Sequence, residues 1–245
     1  MDRILNQAQF NQQAHFARTG YLKVPAVFSS EELEILKQFV YAQKDIEVRK
    51  GNTQAKIYGL YDRAPDLMQS VITNPSLIAA IKNLIGPNIV FVKNRHNQAA
   101  VNSSSDTKTE ARLHRDILQS TRGILTAAIY LEDSTVANGA TNVIPGSHTL
   151  PSVGAPQVNG GGTWMDEHEE YDGLADQVVP VGMNAGDVLL FNGMLFHSVG
   201  SNTTDKTRSS IILGFRSADE LDASPDTARQ ILVAGETIYR GNDAI

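Results

Sequence analysis

The sequence predicts a mainly β protein in which N-terminal helices buttress a sandwich or barrel of short strands. Helical periodicity dominates residues 1–86, and short apolar runs separated by turn residues follow from residue 87 onward. Short strands at close spacing with Gly and Pro turns are typical of sandwiches and barrels. Because a 245-residue chain is within the size of single-domain barrels, helices followed by strands favour one β-core with helices packed on it.

Two helix starts are recognisable in the N-terminal part. Ser29 followed by Glu32 has the spacing of a capping box. Asn74 is placed to cap a second helix, which has Pro75 at its first position and ends at Gly86. Apolar residues follow each start at helical spacing: Leu33, Leu36 and Val40 in the first helix, and Leu77, Ile78, Ile81, Leu84 and Ile85 in the second.

Four apolar, β-branched runs predict strands at residues 89–92, 124–131, 188–191 and 211–215. The Asn192-Gly193 step predicts a hairpin that joins two strands by a tight turn. Further turn signals lie between the runs, at Asn138-Gly139, Pro145-Gly146, Asn184 to Asp187 and Gly200 to Asn202.

The predicted organisation is one domain over residues 1–245. Residues 1–86 form a mostly helical support, residues 87–217 form the β-core, and residues 218–245 form a C-terminal extension. Within the core, the segment from about residue 154 to residue 176 is rich in Gly and acidic residues and has little periodicity. A long loop of this kind is expected to be either a lid over an active site or a solvated excursion.

Composition excludes several classes of site. Because the chain has no cysteine, disulfides, thiolate metal sites and cysteine nucleophiles are ruled out, and a metal would need His, Asp, Glu or backbone oxygen. The net charge of -6, with Lys and Arg scattered, argues against nucleic acid or an anionic membrane as a partner. The chain shows no signal-like apolar segment and no run of ~18 apolar residues, which predicts a cytoplasmic protein with no membrane-spanning helix.

His114 and Asp116 are the sharpest candidates for a metal site. Residues i and i+2 of a strand point to the same face, so this imidazole and this carboxylate would lie side by side. His197, which follows a predicted buried strand, is the best candidate for a third ligand. Two His and one carboxylate on one face of a metal are typical of mononuclear non-haem Fe(II) sites with open positions. A surface His-Asp pair and a satisfied core histidine are the alternatives.

Arg208 is the second signal, since an Arg at the start of a predicted strand offers a planar fork that grips a carboxylate. A dicarboxylate that chelates iron through its 2-oxo acid end needs such a grip on its far carboxylate. The alternative is an Arg in a salt bridge at the rim of the fold. His96, on the predicted strand after Gly86, could face either way.

Several segments carry a resemblance when they are taken together and in order. They are Gly20 to Pro25 with Phe28 to Glu32, His114-Arg115-Asp116, Leu131 to Asp133 followed by Asn138 to His148, and Gly186-Asp187 to His197 with Asn202 to Arg208. In these segments the chain resembles the phytanoyl-CoA dioxygenase (PhyH-like) family, from about residue 16 to residue 215. The resemblance implies a double-stranded β-helix core of the jelly-roll, cupin-like type.

The resemblance also implies an oxygenase that uses Fe(II), 2-oxoglutarate and O2. His114, Asp116 and His197 would be its catalytic metal ligands. Arg208 would anchor the 2-oxoglutarate cosubstrate. Val199 stands where some family members carry a Ser that helps to hold the cosubstrate, and Ser209 or Ser210 is expected to compensate.

Further contacts are expected around this centre. Related enzymes often contact the cosubstrate from the position of Asn97, and Thr141 could add a hydroxyl. Lys93, Arg95 and Asn97 alternate along the predicted strand, so they would share one face. We therefore expect Lys93 and Arg95 to contact the substrate, although solvent exposure is the alternative for both. Trp164, in the lid-like segment, is the third candidate for a substrate contact.

The predicted reaction is hydroxylation of an unactivated C–H bond in a polar small molecule, with release of succinate and CO2. Natural-product tailoring is expected by analogy alone. One alternative is a non-catalytic β-helix protein that binds a metal or a small ligand. Another is the same chemistry with desaturation, epimerisation or cyclisation as its outcome. Asp116 speaks against a halogenase, because related halogenases carry Gly or Ala at this position. Substrate identity and oligomeric state are open at this stage.

Overall fold

The computed structural model describes residues 7–49, 56–102, 112–117, 123–151, 164–220 and 227–237. The α-helices in this part are α1 (Gln7–Thr19), α2 (Ser30–Arg49), α3 (Leu60–Arg63), α4 (Pro65–Ile72) and α5 (Pro75–Ile85). Short 3-10 helices occupy Ser147–Thr149, Met165–Glu167, Glu169–Tyr171, Leu174–Gln177 and Thr227–Arg229. None of the helices in these ranges is long and apolar enough to cross a membrane.

The strands form two antiparallel sheets. In chain order they are β1 (Tyr21–Val24), β2 (Lys56–Tyr58), β3 (Ile89–Val92), β4 (Gln98–Asn102), β5 (Leu125–Tyr130), β6 (Thr141–Val143), β7 (Val179–Val181), β8 (Val188–Asn192), β9 (His197–Val199), β10 (Arg208–Ser217) and β11 (Gln230–Ala234). The large sheet has the order β1-β8-β5-β10-β3-β11, with β4 also paired to β10 and β2 paired to β4. The small sheet has the order β7-β6-β9. The mainly β, jelly-roll prediction is confirmed.

The predicted helix caps are present. The backbone N–H of Ser29 donates to Glu32 Oε2 (2.7 Å), and the N–H of Glu32 donates to Ser29 Oγ (3.2 Å), which is a capping box. Asn74 Oδ1 accepts the N–H groups of the first turn of α5 at 3.0 and 3.1 Å. Helix α5 ends before Gly86, whose φ of 94° is open to glycine and strained for other residues.

The two faces of the large sheet have different neighbours, because alternate residues of a strand point to opposite faces. Ile129 of β5 and Ile211 of β10 belong to the main core. That core also contains apolar side chains of α2, α4 and α5, namely Leu36, Val40, Ile72, Leu77 and Ile81. Tyr130 and Ser210, one residue away on the same strands, line an internal cavity instead. The helices therefore cover one face of the sheet and leave the other face for a site.

The predicted hairpin at Asn192-Gly193 is wrong. Strand β8 ends at Asn192 in the large sheet, whereas β9 begins at His197 in the small sheet, so the two strands do not pair. The backbone of Gly193 donates to Ile124 O (2.8 Å) and accepts from Asp116 N (2.8 Å). A Cβ at Gly193 would lie 3.1 Å from Ile117 Cγ1. The Asn-Gly step is thus a tightly packed connection between the two sheets, and it leads the chain from β8 in the large sheet to His197 in the small sheet.

The C-terminal part adds a strand that the sequence did not predict. Strand β11 pairs antiparallel with β3 and extends the edge of the large sheet. Its burial is intermediate along most of its length, so it lacks the fully apolar run that marks β3 and β5.

Candidate metal centre

His114, Asp116 and His197 converge in the fold. One potential ligand atom from each residue lies within 4.8 Å of those of the other two. His197 Nε2 is 3.6 Å from Asp116 Oδ1, and the ring centroids of His114 and His197 are 4.4 Å apart. Residues distant along the chain are therefore close enough to share one metal ion.

Backbone hydrogen bonds hold the three residues together. The N–H of His114 donates to His197 O (2.9 Å), and the N–H of His197 donates to His114 O (3.0 Å). The N–H of Asp116 donates to Gly193 O (2.8 Å). The expected regular strand at His114 and Asp116 is wrong, because His114 forms isolated bridges and Asp116 lies in a bend. The expected juxtaposition of the two side chains is nevertheless found.

The two imidazoles present the same nitrogen to the centre. His114 Nδ1 lies 3.1 Å from Arg112 O, and His197 Nδ1 lies 3.0 Å from Leu195 O. A carbonyl oxygen only accepts, so each Nδ1 carries the proton and donates. The Nε2 lone pairs of both rings are then free for a metal, with ring orientation set by the backbone bond.

The Asp116 carboxylate is held by several donors. Its Oδ2 accepts from Thr126 Oγ1 (3.0 Å) and from His96 Nε2 (2.9 Å), while its Oδ1 faces His197. Burial alone would raise the pKa of Asp116, but the adjacent His197 and His96 outweigh burial and hold it well below its ordinary value. The carboxylate is therefore ionised, as a metal ligand must be.

The His114 imidazole is also in its metal-binding protonation state. Burial, followed by the proximity of His197, lowers the pKa of His114 to about 4. At neutral pH the ring is neutral, so a metal does not have to displace a proton from it.

Arg208 lies at the start of β10, with 2% of its surface exposed, and it lines the same cavity as His114, Asp116 and His197. Its Nε is buried and has no hydrogen-bond partner among the described residues. Burial lowers the pKa of Arg208, and nearby Tyr130 and Glu132 only partly offset it. The alternative of a rim salt bridge does not hold among the described residues, because this guanidinium lines an internal cavity and no described carboxylate is bonded to it. A buried fork of this kind fits the carboxylate of a ligand.

The cavity has a volume of about 260 Å³. Thr141 lines it, as expected, and its Oγ1 is 2.6 Å from the hydroxyl of Tyr130, which lines it too. Val199 also faces the cavity. Of the two serines expected to compensate for Val199, Ser210 faces the cavity, whereas Ser209 Oγ donates to Glu132 Oε2 (2.7 Å).

The expected strand face of Lys93, Arg95 and Asn97 is wrong. The chain leaves β3 after Val92 and turns before β4 begins, and Asn97 itself has a φ of 44°. Lys93 is ion-paired with Asp62 (2.5 Å), and Arg95 is exposed. The buried Asn97 side chain accepts from a backbone N–H in α3, so its hydrogen bonds are internal to the fold. None of the three lines the cavity.

Other residues occupy the places that these three were expected to fill. Gln98 of β4 lines the cavity one position after Asn97, and Lys56 of β2 lines it beside its pairing partner Ala100. His96, Thr126 and Tyr130 were missed as well. Gln98 and Ala100 are two residues apart on β4 and therefore point to the same face, so the sequence predicts their shared orientation once the turn before β4 is recognised. The position of His96 has no such signal in the sequence.

The described part of the lid-like segment starts at Trp164, while residues 154–163 lie outside the described residues. Trp164 forms an antiparallel bridge with His114, and the two ring centroids are 5.1 Å apart. Arg115 is 2% exposed and donates to Tyr171 Oη (3.1 Å) and Ser147 O (2.7 Å). Trp164 and Tyr171 therefore pack beside the centre, whereas most of the residues between 165 and 177 are exposed. Movement of this segment as a lid stays a prediction.

The chain matches a family model described as phytanoyl-CoA dioxygenase (PhyH) over residues 16–210. Dioxygenase af480 of Aspergillus fumigatus is 26% identical over 232 residues, which cover 85% of this chain and 67% of that protein. A probable alpha-ketoglutarate-dependent hypophosphite dioxygenase of Stutzerimonas stutzeri is 23% identical over 237 residues, which cover 85% of this chain and 78% of that protein. Dioxygenase FUM3 of Gibberella moniliformis is 38% identical over 76 residues, and this match spans only 20% of FUM3.

Solved structures share the fold. The epimerase SnoN, in complex with Fe3+, alpha ketoglutarate and nogalamycin RO, has a TM-score of 0.68 at 22% identity, and the match covers 86% of this chain and 84% of that chain. EctD from S. alaskensis, with 2-oxoglutarate and 5-hydroxyectoine, has a TM-score of 0.69 at 20% identity and coverage of 89% and 80%. At this level of identity, these likenesses establish the fold.

The lowered pKa of His114 predicts a pH-dependent stability of the metal-free protein. Between pH 6.5 and about 4, His114 binds a proton in the unfolded chain but stays unprotonated in the folded protein. The free energy of unfolding therefore falls as the pH is lowered through this range. The loss from this group should reach at most ~3.5 kcal/mol, at ~1.4 kcal/mol per pKa unit. Urea unfolding across this pH range should show a smaller slope for His114→Gln than for the wild type. The matched variant His15→Gln, on α1, should keep the wild-type slope, and an unchanged slope in His114→Gln would contradict the assignment.

Proposed function

Because the chain belongs to the phytanoyl-CoA dioxygenase family, we propose that it is an Fe(II)- and 2-oxoglutarate-dependent dioxygenase acting on a small molecule. One observation carries the proposal. The cluster of His114, Asp116 and His197 opens onto the same cavity as the buried guanidinium of Arg208, whose Nε has no partner among the described residues. A non-catalytic metal-binding protein has no need for a second buried charge in this place.

The donor set fits iron. Two neutral imidazole nitrogens and one carboxylate oxygen on one side of a metal are the ligands of non-haem Fe(II) oxygenases, with the remaining positions open. In this protein His114 Nε2, His197 Nε2 and Asp116 Oδ1 would hold the ion. When bound, Fe(II) supplies the activation of O2. The protein contributes the fixed ligand geometry and a cavity that excludes bulk water.

The cavity also fits a keto-diacid. Arg208 would bind the far carboxylate through its two parallel N–H donors. The hydroxyl pair of Tyr130 and Thr141 and the hydroxyl of Ser210 line the same cavity and can donate to carboxylate oxygens. Gln98, in place of Asn97, is our candidate for the amide contact to the cosubstrate.

The overall reaction that we propose is hydroxylation. One atom of O2 enters succinate as 2-oxoglutarate loses CO2, and the other enters a C–H bond of the substrate. Epimerisation and cyclisation remain competing outcomes of the same chemistry, because the solved relatives include an epimerase and a carbocyclase from nogalamycin biosynthesis. These relatives also support the proposal of a role in natural-product biosynthesis. Since β2, β4, β5, β9 and β10 all contribute to one cavity, we further propose that residues 1–245 act as one domain.

Lys56 indicates the class of substrate. Lys93 and Arg95 lie outside the cavity. Among the described residues that line it, Lys56 and Arg208 are the lysine and the arginine. Lys56 is near enough to His114 to disfavour its charged form. Arg208 binds the cosubstrate in our proposal, so Lys56 is the positive charge of the described lining that remains for the substrate. We therefore propose a polar substrate with an anionic group that reaches Lys56.

Anaerobic addition of Fe(II) and 2-oxoglutarate tests the proposed function. We expect a visible metal-to-ligand charge-transfer band, because the 2-oxo acid would chelate iron in the cavity. Arg208→Gln should need at least tenfold more 2-oxoglutarate for the same band, since the far carboxylate loses a charged, bidentate partner. The surface variant Arg63→Gln, on α3, should titrate like the wild type. Absence of the band in the wild type would favour a non-catalytic metal- or ligand-binding protein.

Asp116→Gly should abolish turnover. The substitution removes the only carboxylate of the cluster, so iron would lose its charged ligand. Succinate release and product mass spectra are the measurements. Full turnover in this variant would show that Asp116 is not a ligand.

A scan of small molecules in acid and amide pairs, monitored by succinate release above the substrate-free rate, tests the substrate class. We expect acids to be turned over faster than their amides by the wild type. Lys56→Gln should reduce kcat/KM for acids about fivefold and leave amides unchanged, because an exposed charged contact contributes ~1 kcal/mol. Uncharged members turning over best in the wild type would contradict an anionic substrate.

A further inference from the structure

We propose that His96 is a positioning residue of the metal centre, which holds Asp116 so that one carboxylate oxygen alone, Oδ1, is available to the metal. This inference rests on the proposed function, since it concerns how the centre binds iron. It concerns a residue outside the His114, Asp116 and His197 cluster.

The two oxygens of Asp116 have different surroundings. Oδ2 accepts from His96 Nε2 at 2.9 Å and from Thr126 Oγ1 at 3.0 Å. Two donors occupy the accepting capacity of one carboxylate oxygen. Oδ1 is 3.6 Å from His197 Nε2, beyond hydrogen-bond length, and it is on the side where the ligand atoms converge. We therefore infer that Oδ1 binds the metal, while the hydrogen bonds of Oδ2 hold the carboxylate in place.

This division keeps coordination positions open. A carboxylate that chelated the metal through both oxygens would occupy a position needed by the 2-oxo acid or by O2. Because His96 and Thr126 approach from different segments, rotation of the carboxylate to bring Oδ2 to the metal would break both hydrogen bonds at once. Buried charge-assisted hydrogen bonds of this kind are costly to leave unmade.

The backbone at His96 is strained to make this contact. His96 has a φ of 66° and Asn97 a φ of 44°, so two consecutive residues with Cβ atoms adopt the left-handed conformation. Such strain persists only where the surroundings over-determine it, and it clusters at functional sites. In this protein it directs the His96 ring out of the path of the sheet and towards Asp116.

Contacts with the start of α3 and with β10 fix the turn. Asn97 Oδ1 accepts from Tyr61 N (2.9 Å), and Asn97 O accepts from Gly59 N (2.9 Å). The turn also presses on β10 at Gly214, where a Cβ would lie 2.8 Å from Arg95 O. Gly214 is therefore required for this close approach, and Asn97 acts by holding His96 in place.

The sheet register explains why a turn occurs here. β3 and β4 lie end to end along one edge of β10, with Phe91 opposite Phe215 and Gln98 opposite Ile212. Residues 92–97 therefore stand opposite only Leu213 and Gly214 of β10. The segment between β3 and β4 has more residues than can pair with this stretch of β10. The excess forms the turn that presents His96 to the metal centre. A loop with no role could have been shorter.

Cobalt binding to the 245-residue chain tests the inference without relying on turnover. His96→Asn suits the left-handed backbone but is too short to reach Asp116, whereas the longer His96→Gln retains an N–H donor. We expect Co(II) affinity to fall 10- to 100-fold in His96→Asn, in line with the loss of outer hydrogen-bond partners at metal sites, and to recover largely in His96→Gln. The visible absorption of bound Co(II) should change in His96→Asn, because the carboxylate could then chelate through both oxygens.

The controls separate the possible failures. His15→Asn, on α1, should bind Co(II) like the wild type. If His96→Asn lowers the unfolding midpoint of the metal-free protein but leaves Co(II) affinity and absorption unchanged, His96 is a structural residue and the inference is overturned. Equal loss of affinity in His96→Gln and His96→Asn would also overturn it, since the donor would then be irrelevant. Failure of the wild type to form the Fe(II)–2-oxoglutarate band would instead reject the proposed function.

Discussion

The ionised carboxylate of Asp116, held inside the protein, is the constraint on which the rest of the site depends. Removing a carboxylate from water is costly unless it is paired and hydrogen-bonded. Here the compensation comes from His197, His96 and Thr126, which approach from three separate segments of the chain. Since His197 lies beside one carboxylate oxygen while His96 and Thr126 bind the other, the carboxylate couples the placement of the small sheet, the turn after β3 and strand β5.

The jelly roll brings these segments together through a corner. Gly193 lets the chain pass from the large sheet to the small sheet, and its carbonyl accepts from the backbone of Asp116. His197, four residues further on, then exchanges two backbone hydrogen bonds with His114. The same few residues thus connect the sheets and set the spacing of the ligands, so the metal geometry is supported by backbone structure on both sides.

Charge separation completes the cavity. Arg208 would normally pair with the nearest acid, and Glu132 is close enough to influence it. Glu132 is instead engaged by Ser209, through its N–H and Oγ at 2.7 Å, and by the hydroxyl of Tyr41 at 2.9 Å. Because neighbouring residues of β10 point to opposite faces, Ser209 binds the acid on one side while Arg208 and Ser210 face the cavity. The guanidinium is left for a ligand.

The sequence by itself determined the elements whose causes are local. The caps at Ser29 and Asn74 depend on side chains within three residues of the backbone they bind, and the buried strands follow from continuous apolar runs. His114, Asp116, His197 and Arg208 were also identified, since the chemistry of a ferrous site limits the residue types and the resemblance limited the positions.

Only the tertiary structure decided the rest, because the deciding contacts join residues far apart in the chain. Asn192-Gly193 has the local pattern of a hairpin, yet packing against Ile117 and Ile124 makes it a corner between sheets. Lys93, Arg95 and Asn97 alternate as a strand would, yet the register of β3 and β4 along β10 forces a turn at this point. The placement of His96 on Asp116 and of Lys56 in the cavity depends on that register, which is set by pairing across the sheet and leaves no mark in the local sequence.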